Sequence, residues 1–255
     1  MSSLERAVNI LRTLAHEGGA GARLQDIAER TGIARPTVHR LLGTMSQLGL
    51  VDRDADSEHY QLGLDLYLLG QAASDRYNVL ELARPLVEAL AADTGDTAYL
   101  TVRHRYESVC ILRAEGGFPI KAFTTHVGAR QPLGLGAGSI ALLAFLPDAE
   151  IDEVLQHNRA VLEPHSRFDM NGLRAIIAQA RAQDYVLRQS TVVDGITAIA
   201  VPVFDYRGRP LAAISLTSID SRMSGERLVL AVRRCREAAA ALQGKLSFAR
   251  PAPEA

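Results

Sequence analysis

Two sets of residues in this chain of 255 residues have types and spacing suited to recognition chemistry. The first is Arg35, Thr37, His39 and Arg40, a run of side-chain donors opened by Pro36. Such donors at the start of a helix reach phosphates and base edges, with arginine matching guanine and hydroxyl or imidazole serving either target. Pro36 suits a first helical turn, where its missing N–H would have no partner anyway. A plainer reading makes Thr37 a helix cap and Arg40 a solvated charge. Arg53 further on is either a minor-groove or backbone contact or an ordinary surface arginine. The second set is Gly134, Gly136 and Gly138 around Ala137, just ahead of an apolar run, together with Ser215 and Thr217. Backbone N–H groups at a helix N-terminus attract carboxylates, and small residues allow close approach. Hydroxyls two apart on a strand face one side and can bond that carboxylate, a neighbouring strand or water. The glycines can equally serve close helix packing alone, and Arg130 ahead of them can pair with an acidic ligand or form a structural ion pair.

Catalytic and metal sets are not apparent. The seven histidines include no HxH, HExxH or HxxxH spacing. Ser139 in GAGSI lacks the second glycine and the preceding strand of a nucleophile elbow. The glycine run follows a proline loop instead of a strand, which argues against dinucleotide binding. Cys110 and Cys235 are far apart and without a partner motif, which fits a reducing cytoplasm and no disulfide scaffold. We therefore expect no catalytic residue, no metal and no cofactor. The alternatives are a small-molecule-converting enzyme and a ligand-binding module without DNA binding. The intact Arg35–Arg40 run argues against the latter.

Composition is that of a globular protein, with 47% hydrophobic and 22% charged residues. The N-terminus shows no signal-peptide pattern, and no run of about 18 apolar residues offers a membrane span. Net charge is -1, which speaks against a non-specific DNA coater. Charge is nonetheless placed for a specific reader, because no acid lies between Arg30 and Val51, where three arginines and one histidine occur.

The positioning elements follow from periodicity. Ser3 to Glu17 is expected to form a helix with Leu4, Ala7, Val8, Leu11 and Leu14 on its apolar positions, capped by Ser2 or Ser3. Leu24 to Arg30 and a helix opening at Arg35 flank a break at Thr31-Gly32-Ile33, with Val38, Leu41, Leu42, Met45 and Leu48 on one face of the second helix. This is a helix-turn-helix. Short extended pieces around the polar tip Asp54–Glu58 make a wing. Leu64 to Arg76 reads as a linker helix whose apolar face packs on a second copy or on its own domain. Val79 to Thr94 is a helix. Strands are expected at Thr97–Val102, Ser108–Arg113, Ile120–Thr125, Thr197–Phe204 and Leu211–Leu216, and Gly128 to Leu135 as a loop. Helices are expected at Ala137–Leu146, from Asp148, at Asn171–Asp184 and at Glu226–Lys245. The class is α+β, with the helices on one face of the sheet or at its ends. The expected domains are a winged helix-turn-helix over residues 1–63, a linker helix over 64–78, a further domain over 79–248 and a disordered tail over 249–255.

This order of parts resembles the IclR family of bacterial transcriptional regulators. Three blocks carry the resemblance: RLQDIAERTGIARPTVHRLLGTMSQLGLV with the following YQLG, GARQPLGLGAGSIALLAFLP, and ITAIAVPVFDYRGRPLAAISLT. It implies a winged helix, a linker helix and a C-terminal effector-binding domain similar to GAF and PAS folds. It implies a repressor or activator that binds palindromic double-stranded operator DNA as a homodimer or dimer of dimers, tuned by a small carboxylic or aromatic acid. By position, Gly136 and Ala137 are then carboxylate-binding, Ser215 and Thr217 are ligand-facing, and Ile196 and Ala198 are pocket wall. Ala198 stands where some members have a cysteine, and Arg188-Gln-Ser-Thr-Val-Val-Asp194 stands where an acid often precedes the strand.

Overall fold

The computed structural model describes residues 2–17, 20–74, 79–164, 169–190, 193–205 and 207–248. The expected tail at 249–255 lies outside the described residues. Backbone contacts divide the chain into two compact units, Met1–Asn78 and Val79–Ala255.

The first unit packs three helices, α1 (Ser3–Glu17), α2 (Leu24–Thr31) and α3 (Arg35–Gln47), against the hairpin of β1 (Val51–Arg53) and β2 (Tyr60–Leu62). Ser2 caps α1 reciprocally: its hydroxyl accepts the Glu5 N–H, and the Glu5 carboxylate accepts the Ser2 N–H. The buried stripe of α1 is Ile10 and Leu14, while Leu4 and Val8 face solvent, so the apolar face is rotated from the expected one. α2 stops at Gly32, whose φ of 65° is the left-handed conformation that glycine adopts without strain. Ile27, Val38, Leu41, Leu42 and Met45 join the core, but Leu48 is exposed because it is the C-cap residue, beyond the last helical turn. α4 (Leu64–Ser74) follows and leaves Leu64, Tyr67, Leu68 and Leu69 exposed; Arg76 lies outside the described residues.

The second unit holds an antiparallel sheet of six strands in the order β5-β4-β3-β8-β7-β6. The strands are β3 (Thr97–His104), β4 (Glu107–Glu115), β5 (Arg130–Pro132), β6 (Val186–Gln189), β7 (Ile196–Phe204) and β8 (Pro210–Ile219). Helices cover both faces, not one face or the ends. α5 (Val79–Thr94) and α9 (Gly225–Phe248) bury Leu100, Leu112, Ile199, Val201, Ile214 and their neighbours on one side. α6 (Ala137–Ala144), α7 (Asp148–Leu162) and α8 (Met170–Gln183) gather around Ala200 and Ala213 on the other. Both faces are buried, so β7 and β8 read as near-continuous apolar runs and strict alternation does not reveal the second helical layer.

Two strand expectations need correction. Residues 120–125 form no strand, because β5, placed in the expected loop, takes the free edge of β4. The 120–125 segment instead forms a strap. The Tyr99 hydroxyl donates to Ala122 O at 3.1 Å, Lys121 Nζ donates to Gly116 O, and the Arg113 guanidinium lies 4.3 Å from the Phe123 ring centre. The added edge strand β6 carries only Val186 as a buried apolar residue, too little alternation to announce a strand.

At the start of β3, buried Asp96 accepts hydrogen bonds from Ser218 Oγ at 2.6 Å, Arg222 Nε at 2.8 Å and Arg227 Nη2 at 3.0 Å. This joins β3 to the end of β8 and the start of α9. Asp96→Ala removes the shared carboxylate and strands two partly buried guanidinium groups. We expect it to lower the unfolding free energy by about 3–5 kcal/mol in urea titrations. A loss under about 1 kcal/mol, the scale of an exposed pair, would contradict this role.

Candidate nucleic-acid interface and ligand pocket

Helix α3 presents its donors because its apolar residues are fully used. Val38, Leu41, Leu42 and Met45 are buried, which turns Arg35, Pro36, His39 and Arg40 outward and leaves Thr37 half-buried. Pro36 sits in the first turn. The helix is capped by backbone alone, with Ala34 O accepting from Thr37 N at 2.8 Å and Val38 N at 3.1 Å. No side chain caps it, so the capping alternative for the Thr37 hydroxyl is not realised. The same exposed face continues through Gly43 and Thr44, which the sequence reading passed over. Arg30 pairs with Glu17, and Arg53 is committed inside the wing, 3.0 Å from Glu58 and over the Tyr60 ring. The Asp54 carboxyl is held below the usual carboxylate range by the N–H and hydroxyl of Ser57, which orders the wing tip.

In the second unit a cavity of about 80 Å³ opens between the sheet and the N-terminus of α6. That is room for on the order of five to eight water-sized groups. Ser139 shapes its wall. The Ser139 hydroxyl accepts from the N–H groups of Gly134 at 3.0 Å, Leu135 at 3.1 Å and Gly136 at 3.3 Å, and donates to Pro132 O. Buried Asn158 ties the same loop by donating to Leu133 O and Tyr106 O. The loop N–H groups are thus consumed, and the next two, Ala137 and Gly138, belong to the first helical turn, where no intrahelical carbonyl reaches them. A Cβ added at Gly138 would lie 3.2 Å from Thr101 Oγ1 and 3.8 Å from Ser215 Oγ, so the helix end is set directly on the sheet hydroxyls.

The strand pattern decides which side chains reach the cavity. On β8, Ala212, Ile214 and Leu216 point to α5 and α9, so Ser215 and Thr217 point to the cavity. On β7, Ala198 does the same, and on β3, Tyr99 and Thr101. β4 reaches it through a bulge: Leu100 pairs with Leu112 but Thr101 with Cys110, one residue on β3 skipping Ile111. Ser108 and Cys110 therefore face the cavity while Leu112 and Ala114 face the opposite core. Ser215 and Thr217 are buried residues whose hydroxyls take no protein hydrogen bond among the described residues. Burial pushes the Cys110 thiol up to about 11, which keeps it neutral. Tyr99, likewise raised by burial, holds the strap, from which Thr124 and Thr125 line the cavity.

Of the residues singled out in the sequence, Gly136, Ala137, Ala198, Ser215 and Thr217 come together here. Arg130 does not. It is bonded to Glu107 at 2.8 Å and to His104 Nδ1 at 2.7 Å, and its β5 neighbour Gln131 lines the cavity instead. Ile196 is buried but not in the cavity wall. Arg188 was missed as a lining residue. It stands on the unrecognised strand β6, and only that strand's pairing with β7 carries it to the cavity.

A winged helix-turn-helix followed by an α+β unit with a helix-capped cavity is the architecture of a ligand-responsive DNA-binding regulator. The chain matches the IclR helix-turn-helix domain over residues 3–55 and the bacterial transcriptional regulator IclR C-terminal domain over residues 71–243. It belongs to the IclR family of bacterial transcriptional regulators. It is 28% identical to the HTH-type transcriptional regulator XynR of Escherichia coli over 97% of this chain and 98% of that one. It is 32% identical to the glycerol operon regulatory protein of Streptomyces coelicolor over 93% and 94% of the two chains. Among solved structures, an IclR regulator from Alicyclobacillus acidocaldarius superposes with a TM-score of 0.78 at 28% identity, covering 96% of this chain and 98% of that one. An IclR homologue from Microbacterium hydrocarbonoxydans, in complex with 4-hydroxybenzoate, shares the fold with a TM-score of 0.80 at 24% identity, covering 97% and 100%. These relatives are transcriptional regulators, not enzymes. No described helix is long and apolar enough to cross a membrane.

Proposed function

We propose that α3 enters the major groove of a palindromic operator and that the α6 cavity holds a small organic acid that biases DNA binding. The observation that carries the second half is the pairing of two cavity-facing hydroxyls without a protein partner among the described residues, Ser215 and Thr217, with a helix N-terminus whose first N–H groups are open. Partial positive charge at the helix end and two hydroxyl donors suit one carboxylate. The 4-hydroxybenzoate bound by the Microbacterium hydrocarbonoxydans homologue supports an acid as the ligand class. Gly136 and Ala137 supply the approach and Ala198 the floor.

On the DNA side, Arg35, Thr37, His39 and Arg40 contact bases and phosphates, with Pro36 pre-setting the turn. Arg53 is held by Glu58 and would contact a phosphate only by exchanging that partner. The exposed face of α4 (Leu64, Leu68 and Leu69) packs against a second copy in a homodimer, or in a dimer of dimers. Two α3 helices then reach half-sites one helical turn apart, about 34 Å. The protein works in the cytoplasm, where the operator is. The acid shifts operator occupancy only through its different affinity for the two arrangements of the dimer.

Arg40→Ala is expected to weaken binding to the operator by about 1–3 kcal/mol in gel-shift titrations; unchanged affinity would remove Arg40 from the interface. Ser215→Ala is expected to weaken a bound carboxylic acid by about 1.5–3 kcal/mol in calorimetry, the scale of a hydrogen bond to a charge. It should leave DNA binding in the absence of acid as in the parent protein. Equal acid affinity in parent and variant would overturn the placement of the carboxylate.

A further inference from the structure

The carboxylate site accounts for one end of the cavity and leaves a charge at the other. Arg188 lines the cavity from β6, together with its neighbours Gln189 and Ser190. The Nε of Arg188 is buried and has no hydrogen-bond partner among the described residues. No carboxylate among them forms an ion pair with the guanidinium, in a protein where most of the other buried or half-buried arginines do have one. Burial, with no compensating acid, lowers the affinity of this guanidinium for its proton. A half-buried cation without a counter-ion is costly unless something else supplies the negative charge.

The sheet places this cation relative to the carboxylate site. Arg188 is in register with Ala198, and Ala198 with Thr217. The three residues form one row across β6, β7 and β8, all lining the cavity. Strands are spaced by about 4.8 Å, so the Cα atoms of Arg188 and Thr217 are about 10 Å apart. Ala198 between them is too small to obstruct the row. A hydroxyl and helix-end pole thus faces a guanidinium pole across a shallow floor. The charge between the poles is one-sided, since every acidic side chain is missing from the cavity wall among the described residues.

We propose that Arg188 binds a second anionic group of the same ligand, so that the effector of this protein is a short dicarboxylic acid of about four carbons, at the upper end of the room available. The inference rests on the carboxylate reading above and adds the second pole to it. Arginine is suited to the task because its planar fork accepts a carboxylate with two parallel N–H bonds. In the acid-free protein the cation is stored unpaired; the distal carboxylate removes that cost on binding. A monocarboxylate of equal length satisfies only the α6 pole and leaves Arg188 as it was.

The test is calorimetry on the full chain with two matched pairs, succinate against butyrate and glutarate against valerate, in the parent protein, Arg188→Gln, Arg188→Lys and Ser215→Ala. The parent is expected to favour each diacid over its monoacid by about tenfold or more, as a charge-assisted bidentate contact would give. Arg188→Gln should collapse that preference to within about threefold while leaving monoacid affinity nearly unchanged, and Arg188→Lys, a point charge without the fork, should keep part of it. Ser215→Ala should weaken diacid and monoacid alike. Retained monoacid binding in the Arg188 variants reports that the cavity is still folded; if Arg188→Gln does not fold, the parent selectivity and Arg188→Lys decide. No diacid preference in the parent, or an undiminished preference in Arg188→Gln, overturns the role of Arg188. If acids bind and Ser215→Ala weakens them while Arg188→Gln changes nothing, the second pole alone fails. If none of the four acids binds the parent protein, the carboxylate site fails with it.

Discussion

One hydroxyl, Ser139 Oγ, gathers the N–H groups of Gly134, Leu135 and Gly136 onto itself, and the cavity depends on it. A loop arriving at a helix normally brings several unsatisfied donors, each seeking an acceptor. Here three are spent before the helix begins, and the donor of the hydroxyl is spent on Pro132 O. What remains open is the first turn of α6, aimed at the sheet. Gly138 then allows that turn to rest on Thr101 and Ser215. At its other end α6 is closed by Arg181, which donates to Leu146 O and pairs with Asp148. The helix is fixed at both ends, and its interior residues are buried almost without exception. A rigid helix with open N–H groups at one end is a pre-organised acceptor of negative charge, since the donors need not be reordered when a ligand arrives.

The rest of the second unit serves that end. The bulge between β3 and β4 divides one strand between two surfaces, sending Cys110 to the cavity and Leu112 to the opposite core. The strap pinned by Tyr99 closes over it with Thr124 and Thr125. Among the described residues the walls are therefore hydroxyls, small side chains, the amides of Gln131 and Gln189, Leu135 and a neutral thiol, with one guanidinium. Such a wall offers donors and positive charge, which is complementary to an acid and poorly suited to a cation.

Legibility in the sequence followed local chemistry. The start and inner face of α3 were readable, because Arg35-Pro-Thr opens the helix and a 3.6-residue period runs through Val38, Leu41, Leu42 and Met45, whereas Leu48 continued the period past the point where the helix ends. The Gly136–Gly138 helix start and the Ser215/Thr217 face were readable for the same reason, since each is set by spacings of two to four residues. Non-local decisions were not. Ile120–Thr125 has a strand's composition, yet the edge it would occupy belongs to Arg130–Pro132. Arg130 and Arg188 look alike as residues, and the pairing of β5 and β6 alone turns one to Glu107 and the other to the cavity. Ser139 was weighed as a nucleophile when its use is to hold a loop. The doubly covered sheet was hidden because β7 and β8, buried on both faces, carry no alternation.

The central claim is that an acid in the α6 cavity and an operator on α3 are thermodynamically coupled. Linkage makes this a closed cycle: whatever factor the acid imposes on operator affinity, the operator must impose on acid affinity. The direct measurement is fluorescence anisotropy of a duplex obtained by binding-site selection, titrated with the full chain with and without saturating succinate, alongside calorimetry of succinate into free and duplex-bound protein. The account predicts a change of about 5-fold to 150-fold in duplex affinity, equal within error in the two arms of the cycle. Succinate that binds the protein yet leaves duplex affinity unchanged would contradict it.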